Sequence, residues 1–203
     1  MARHRRDIRL LVLALLVAAA TAYMLARFGA REEAPSPTVA GSSQQVAIGG
    51  PFALVDQNGQ ARTDADLKGR LSLIYFGYTF CPDVCPLALS NMGAAIDALG
   101  KKGDAVVPVF VTVDPERDTV ARLKEYAQRF HPRLLALTGT PEAVAHAAKA
   151  YRIYYAKQEG AGAEYLMDHS SLIYLMDRDG HYLAHFGPNA SPQDIAAKIE
   201  GYL

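Results

Sequence analysis

An apolar run, Leu71-Ser72-Leu73-Ile74-Tyr75-Phe76-Gly77, leads into Cys81-Pro82-Asp83-Val84-Cys85-Pro86 and then into Leu89, Met92, Ile96 and Leu99 at helical spacing. A short apolar run ahead of a turn reads as a buried strand, and the repeat after it as an amphipathic helix. The two cysteines, the only ones in the chain, sit at the junction. Few architectures place a thiol pair between a buried strand and the start of a helix. Sulfurs at i and i+4 can face one point in space. That suits a soft cation such as Cu(I), or lets the pair close as a disulfide. Asp83 is a good N-cap and Pro86 falls in the first turn, which sets Cys81 on the loop above the helix and Cys85 within it. The partial positive charge of a helix N-terminus favours the thiolate, the form that binds metal and attacks disulfides.

The elements on either side alternate. Phe52 to Val55 followed by Asp56-Gln57-Asn58-Gly59 reads as an N-terminal hairpin, with Asn-Gly supplying the turn. Pro108 to Val113 is a second buried strand, with Pro108 expected at its start because proline cannot donate to a central ladder. Val120, Leu123, Ala127 and Phe130 mark a helix. Thr140-Pro141-Glu142 opens another, with a cap, a proline and an acid in sequence. Leu172 to Leu175 and Tyr182 to Phe186 flank the turn Asp177-Arg178-Asp179-Gly180. Ser191-Pro192-Gln193-Asp194 caps a last helix carrying Ile195, Ile199 and Tyr202. Strands alternating with helices, closed by a hairpin and a helix, define an α/β sandwich of the thioredoxin type.

This domain is expected over residues 49–203, behind an exported N-terminus. Arg3, Arg5 and Arg6 precede an apolar run from Leu10 to Leu25, and basic residues before such a run stay cytoplasmic. The expectation is a cytoplasmic tail over 1–9, one transmembrane helix over 10–26 and a polar tether over 27–48. Ala20-Thr21-Ala22 fits a small-x-small cleavage rule. Against cleavage, the run continues to Ala26 and ends in Arg27-Phe28, an interfacial stop, which favours an uncleaved anchor. No cysteine follows the run, so a lipoprotein anchor is excluded. Nothing resembles a long Arg- and Ser-rich transit peptide, which points to a single pass through a bacterial inner membrane with the domain in the periplasm. Five of the 21 basic residues and one of the 21 acids lie in the first 30 positions. The remainder carries a net charge of −4, and a mildly acidic domain with no basic stripe argues against nucleic acid as a partner.

A third candidate ligand lies in Asp168-His169-Ser170-Ser171, just before the strand Leu172 to Leu175. A thioredoxin-type sheet turns that loop toward the cysteine motif. Thiol redox enzymes usually space their cysteines as Cys-x-x-Cys, and one more residue alters sulfur geometry and redox poise. A structural disulfide is the plainer alternative in an exported protein, though a bridge across so small a loop stabilises little.

At these residues the chain resembles the Sco/SenC family of membrane-anchored copper proteins. The likeness runs from about Gly49 to Leu203. It rests on Tyr75-Phe76-Gly77-Tyr78-Thr79-Phe80 leading into the Cys81–Cys85 motif, on Val113-Asp114-Pro115-Glu116-Arg117-Asp118-Thr119, on Leu137-Thr138-Gly139-Thr140 and on Asp168-His169-Ser170-Ser171. The resemblance implies a thioredoxin-like fold binding one copper ion, Cu(I) or Cu(II), through Cys81, Cys85 and His169. It implies a role in assembling the binuclear copper centre of cytochrome c oxidase, by copper transfer, by reduction of that centre's cysteines, or both. The partners it implies are the copper-bearing oxidase subunit and, upstream, a periplasmic copper chaperone or a thioredoxin-like reductant. The alternatives are a thiol-disulfide oxidoreductase acting on oxidase cysteines, with Cys81 and Cys85 as the redox pair, and a copper or redox sensor. Zn(II) also accepts a Cys2His set.

Several residues have plainer readings. Asp118 or Thr119 is expected to cap the following helix while Arg117 pairs locally, against a docking role for that loop. Tyr78 and Phe80 either shield the metal or fill the core. Met167 reads as packing rather than as a soft ligand. A second nitrogen partner for His169 is sought in Asp168 or a backbone carbonyl. His131, His146, His181 and His185 have no partner at metal spacing.

Overall fold

The structure is a computed structural model that describes residues 15–24, 47–158 and 165–203. Residues 15–24 are helical and exposed. No helix among the described residues is long and apolar enough to cross a membrane. The expected tail over 1–9, most of the anchor over 10–26 and most of the tether over 27–48 lie outside the described residues.

A separate compact unit, Gln45–Leu203, is built on a seven-stranded sheet. In chain order its strands are β1 (Ala53–Asp56), β2 (Ala61–Thr63), β3 (Leu71–Gly77), β4 (Val106–Thr112), β5 (Leu135–Thr138), β8 (Ile173–Met176) and β9 (Tyr182–Phe186). In space they run β2-β1-β5-β4-β3-β8-β9. β3, β4 and β5 are parallel, and the others join antiparallel. The remaining strands, β6 (Tyr155–Lys157) and β7 (Met167–His169), form a small antiparallel sheet of their own.

Among the described residues of the unit there are four α-helices: α1 (Val84–Ala98), α2 (Val120–Ala127), α3 (Pro141–Ala150) and α4 (Pro192–Glu200). Side chains alternate across a strand, so Tyr75 and Gly77 of β3 share one face, together with Phe110 of β4 opposite Tyr75. That face meets α1 and α2: Phe110 packs on Tyr126 with ring centroids 5.6 Å apart. Phe76 turns to the other face and packs on Tyr151 at the end of α3. All seven residues of β3 and of β4 are buried, as two-sided coverage of parallel strands requires. α4 packs along α1.

The hairpin turn is as expected. Gly59 takes φ 78°, a left-handed value that glycine adopts without cost, and the Asp56 carboxylate accepts backbone N–H bonds from Asn58 and Gln60. Thr119, Thr140 and Ser191 each cap their helix through the side-chain oxygen. Pro108 departs from expectation, being the third residue of β4 rather than its first. β5 pairs with β4 only from Val109 onward. At Pro108, therefore, the strand has a ladder partner on the β3 side alone, and the missing N–H is tolerated.

Candidate metal centre

The sulfur of Cys85 lies in the first turn of α1 and is fully buried. Its place depends on β3. A Cβ on Gly77 would stand 2.9 Å from Cys85 Sγ and 2.9 Å from the Tyr75 ring, so only glycine lets the strand end approach the thiol this closely. Cys81 sits on the loop before the helix and retains a sliver of exposure, 8%. Asp83 stands at the N-cap but makes no capping hydrogen bond, contrary to expectation. The Cys81 sulfur takes over that role and accepts the Cys85 backbone N–H at 3.5 Å. Both cysteines are free thiols.

The loop between β3 and Cys81 is tied down by Asp118, which is buried. Its carboxylate accepts the Thr79 hydroxyl and the Thr112 hydroxyl, both at 2.6 Å, and the Thr79 backbone N–H at 3.0 Å. Asp118 therefore buckles the cysteine loop to the end of β4, while Thr119 alone caps α2. Burial holds the Asp118 carboxyl above its ordinary range, against the pull of those hydrogen bonds.

His169 ends β7, paired with Tyr155 across the small sheet. Its Nε2 is 3.4 Å from Cys85 Sγ and its Nδ1 is 3.2 Å from the Ser170 carbonyl. A carbonyl has no proton to give, so Nδ1 donates to it and Nε2 is the ring nitrogen that faces the sulfur. The orienting partner is thus a backbone carbonyl. Asp168 instead accepts from Gln158 Nε2 at 2.7 Å. Two tyrosine rings meet the imidazole edge-on, Tyr75 at 6.1 Å and Tyr78 at 5.7 Å between centroids.

The donor atoms of Cys81, Cys85 and His169 all lie within 4.8 Å of one another. Two sulfurs and one imidazole nitrogen suit copper in both common oxidation states: thiolates favour Cu(I), and the nitrogen supports Cu(II). The two thiols are not equivalent. Hydrogen bonding from Cys85, and then from His169 and the helix-start N–H groups, pulls the Cys81 thiol well below its ordinary range despite burial. The Cys81 sulfur and burial push Cys85 up. The thiolate expected from the helix N-terminus is accordingly Cys81. Burial, reinforced by the adjoining sulfur of Cys85, holds the Tyr75 phenol far above its usual range.

A cationic clasp links the ligand-bearing segments. The Arg117 guanidinium lies 3.5 Å over the Tyr165 ring and 4.5 Å from the Phe80 ring, and its Nε donates to Asp114. Tyr165 donates to the same carboxylate at 2.7 Å. Phe80 precedes Cys81 and Tyr165 lies just ahead of β7, so Arg117 joins the two. Its Nη2 is buried without a hydrogen-bond partner, where the aromatic faces supply the cation's electrostatic contact.

Of the other candidates, Tyr78 is buried beside the imidazole, whereas Phe80 is 45% exposed and no core residue. Met167 is buried in the core cluster. His131 is buried with Nε2 3.5 Å from Asp97; His146 and His185 are exposed. His181 departs from expectation, because Asp177 and Asp179 bring carboxylates within 4.8 Å of it. This is an exposed turn in which Asp177 already accepts the backbone N–H of Asp179 and of His181. Sequence reasoning missed the strands β6 and β7, the Arg117 clasp and Tyr75. The available signal for Tyr75 was a phenol hydroxyl in a buried, mostly apolar strand, which demands a partner.

The fold and site together define a thioredoxin-like domain with a Cys2His pocket where β3 meets α1. The SCO1/SenC family model matches residues 40–203, and the chain belongs to that family. A SCO2-like protein of Rickettsia felis is 39% identical over 194 residues, covering 95% of each chain. Among solved structures, Bradyrhizobium japonicum ScoI with copper bound is 48% identical with a TM-score of 0.73, matching 77% of this chain and 100% of that one. Yeast Sco1 with copper bound is 42% identical with a TM-score of 0.71, matching 77% of this chain and 88% of that one.

Proposed function

We propose that this chain is a membrane-anchored copper metallochaperone that assists assembly of the binuclear copper centre of cytochrome c oxidase. Its cargo is one Cu(I) or Cu(II) ion held by Cys81, Cys85 and His169. The observation that carries this reading is the convergence of two sulfurs and an imidazole nitrogen within 4.8 Å, with donors drawn from positions 84 residues apart. Three ligands leave copper under-coordinated, and the half-buried His169, more open than either cysteine, would give an incoming ligand from the oxidase's copper-bearing subunit a route to the ion. The apolar run over 10–26 would hold the domain on the periplasmic side of a bacterial inner membrane. A periplasmic copper chaperone or a thioredoxin-like reductant would act upstream.

The test is a titration of Cu(I) and Cu(II) into the reduced protein. One equivalent binds, and the Cu(II) form shows thiolate-to-copper charge-transfer absorption that disappears in Cys81→Ser and Cys85→Ser. Unchanged affinity in His169→Ala would remove the imidazole from the site.

The unequal thiols favour a second reading, reduction of the oxidase cysteines. The Cys81 thiolate attacks the partner's disulfide and releases one partner thiolate. Cys85, losing its proton, then displaces the other and leaves a Cys81–Cys85 disulfide, which a thiol reductant must reopen. Electron transfer to an oxidised oxidase peptide that is indifferent to His169→Ala would favour this route over copper delivery.

A further inference from the structure

Tyr75 is wholly buried in the middle of the sheet, in an otherwise apolar part of β3. A phenol in such a place needs hydrogen-bond partners: its hydroxyl donates to Cys85 Sγ at 3.6 Å, and the Ser171 side chain supports the phenol oxygen. The ring on the same side chain meets the His169 imidazole edge-on. One residue from the sheet interior thus bears on two of the three donors. Gly77, two positions along the same face, removes the bulk that would part them, since a Cβ there would collide with both Cys85 Sγ and the Tyr75 ring. Cys81 holds the contrasting position, on the loop at the rim, where its sulfur accepts the backbone N–H of Cys85.

Resting on the copper reading above, we infer that Tyr75 is a positioning residue that sets the redox preference of the site by donating its hydroxyl proton to the copper-bound Cys85 sulfur. The physical argument concerns where charge resides. Cu(II) draws more electron density from a thiolate than Cu(I) does, so the sulfur is more negative in the Cu(I) form. A hydrogen bond to that sulfur therefore stabilises the Cu(I) form more. Hydrogen bonding around a cysteine sulfur is an established lever on copper potentials. The Tyr75 hydroxyl acts on Cys85, whereas Cys81 takes its hydrogen bonds from the backbone N–H groups at the helix start, so the phenol tunes the site through the buried sulfur.

The experiment compares the full-length copper-loaded protein with two variants. Tyr75→Phe keeps the ring and deletes the donor. Replacement of Tyr75 by 3-fluorotyrosine keeps the ring and makes the hydroxyl a stronger donor. In Tyr75→Phe the thiolate-to-copper band moves to lower energy and the ratio of Cu(I) to Cu(II) affinity falls about tenfold, a potential lowered by about 59 mV for one electron. The fluorinated protein moves both readouts the opposite way, which a packing defect would not do. Since it retains the hydroxyl and the ring, it also answers the question if Tyr75→Phe fails to fold. An unshifted band, or shifts of the same sign in both variants, overturns the assignment while leaving copper binding intact. Absence of any sulfur-to-copper band in the unmodified protein overturns this inference and the copper reading together.

Discussion

The two segments that supply the donors are built differently. Cys85 stands on the longest helix of the domain, against the central strands β3 and β4, with its sulfur pressed onto Gly77. His169 comes from a three-residue strand paired with another three-residue strand, outside the main sheet. The sulfur cannot move without disturbing the core. The imidazole is held by one carbonyl, the ring edges of Tyr75 and Tyr78 and the Arg117–Tyr165 clasp, of which only Tyr75 belongs to the central ladder. On the copper reading, the ion would rest between a rigid sulfur floor and an imidazole on a small separate sheet. Stability is seldom uniform across a domain, and elements that open for function come from its less stable parts.

Substitutions on each side should break this contrast in different ways. The largest effect is expected from Gly77→Val. Overpacking there costs about 3 kcal/mol of stability and displaces Cys85, so denaturant unfolding and titrations with both copper oxidation states should all worsen. His169→Ala should leave the denaturant midpoint near that of the unmodified protein. Its Cu(II) affinity should fall by more than about 100-fold, beyond what the loss of an outer contact costs. A large loss of stability in His169→Ala would show that the small sheet is part of the core after all. Tyr165→Leu removes both the stacked ring and the bond to Asp114. The fold should persist while copper affinity weakens about tenfold, the low end for contacts that orient a ligand.

The smallest effect lies at Asp56, away from the donors. Burial opposes ionisation of Asp56, but the N–H groups of Gln60 and Asn58 and the Arg62 guanidinium outweigh it and hold its pKa below the ordinary value. A depressed carboxylate contributes stability that is present above its unfolded pKa, about 3.9, and is lost as pH falls through the lower folded value. Asp56→Asn should flatten the acid limb of the stability profile below about pH 4 without changing copper binding at neutral pH. A change in copper binding would mean that the N-terminal hairpin reaches the site.

The contrast also explains what the sequence disclosed. The sulfur side was legible: a seven-residue apolar strand, a cysteine motif and a four-turn helical repeat are long signals that local physics enforces. The caps Thr119, Thr140 and Ser191 were legible for the same reason, since each needs only a hydroxyl and an amide three residues on. The imidazole side was not. Three residues cannot show a period, so β6 and β7 left no pattern, and His169 was brought to the cysteines by the fold type, which turns its loop toward them, and by the family resemblance. Asp118 read as a cap because a buried acid bonded to two threonines 39 and 6 positions away has no local signature. Pro108 was misplaced because its tolerance depends on where β5 begins, which is a property of the neighbouring strand.

The sulfur that stands in for a capping carboxylate has a consequence of its own. A lone pair on Cys81 is already engaged by the Cys85 amide, so whatever next claims that sulfur, an ion or a second sulfur, competes with the opening turn of α1 for it. The start of the helix thereby registers whether the thiol is occupied. Deuterium uptake at the Cys85 amide, compared between empty, loaded and oxidised protein, would read that occupancy from the backbone itself.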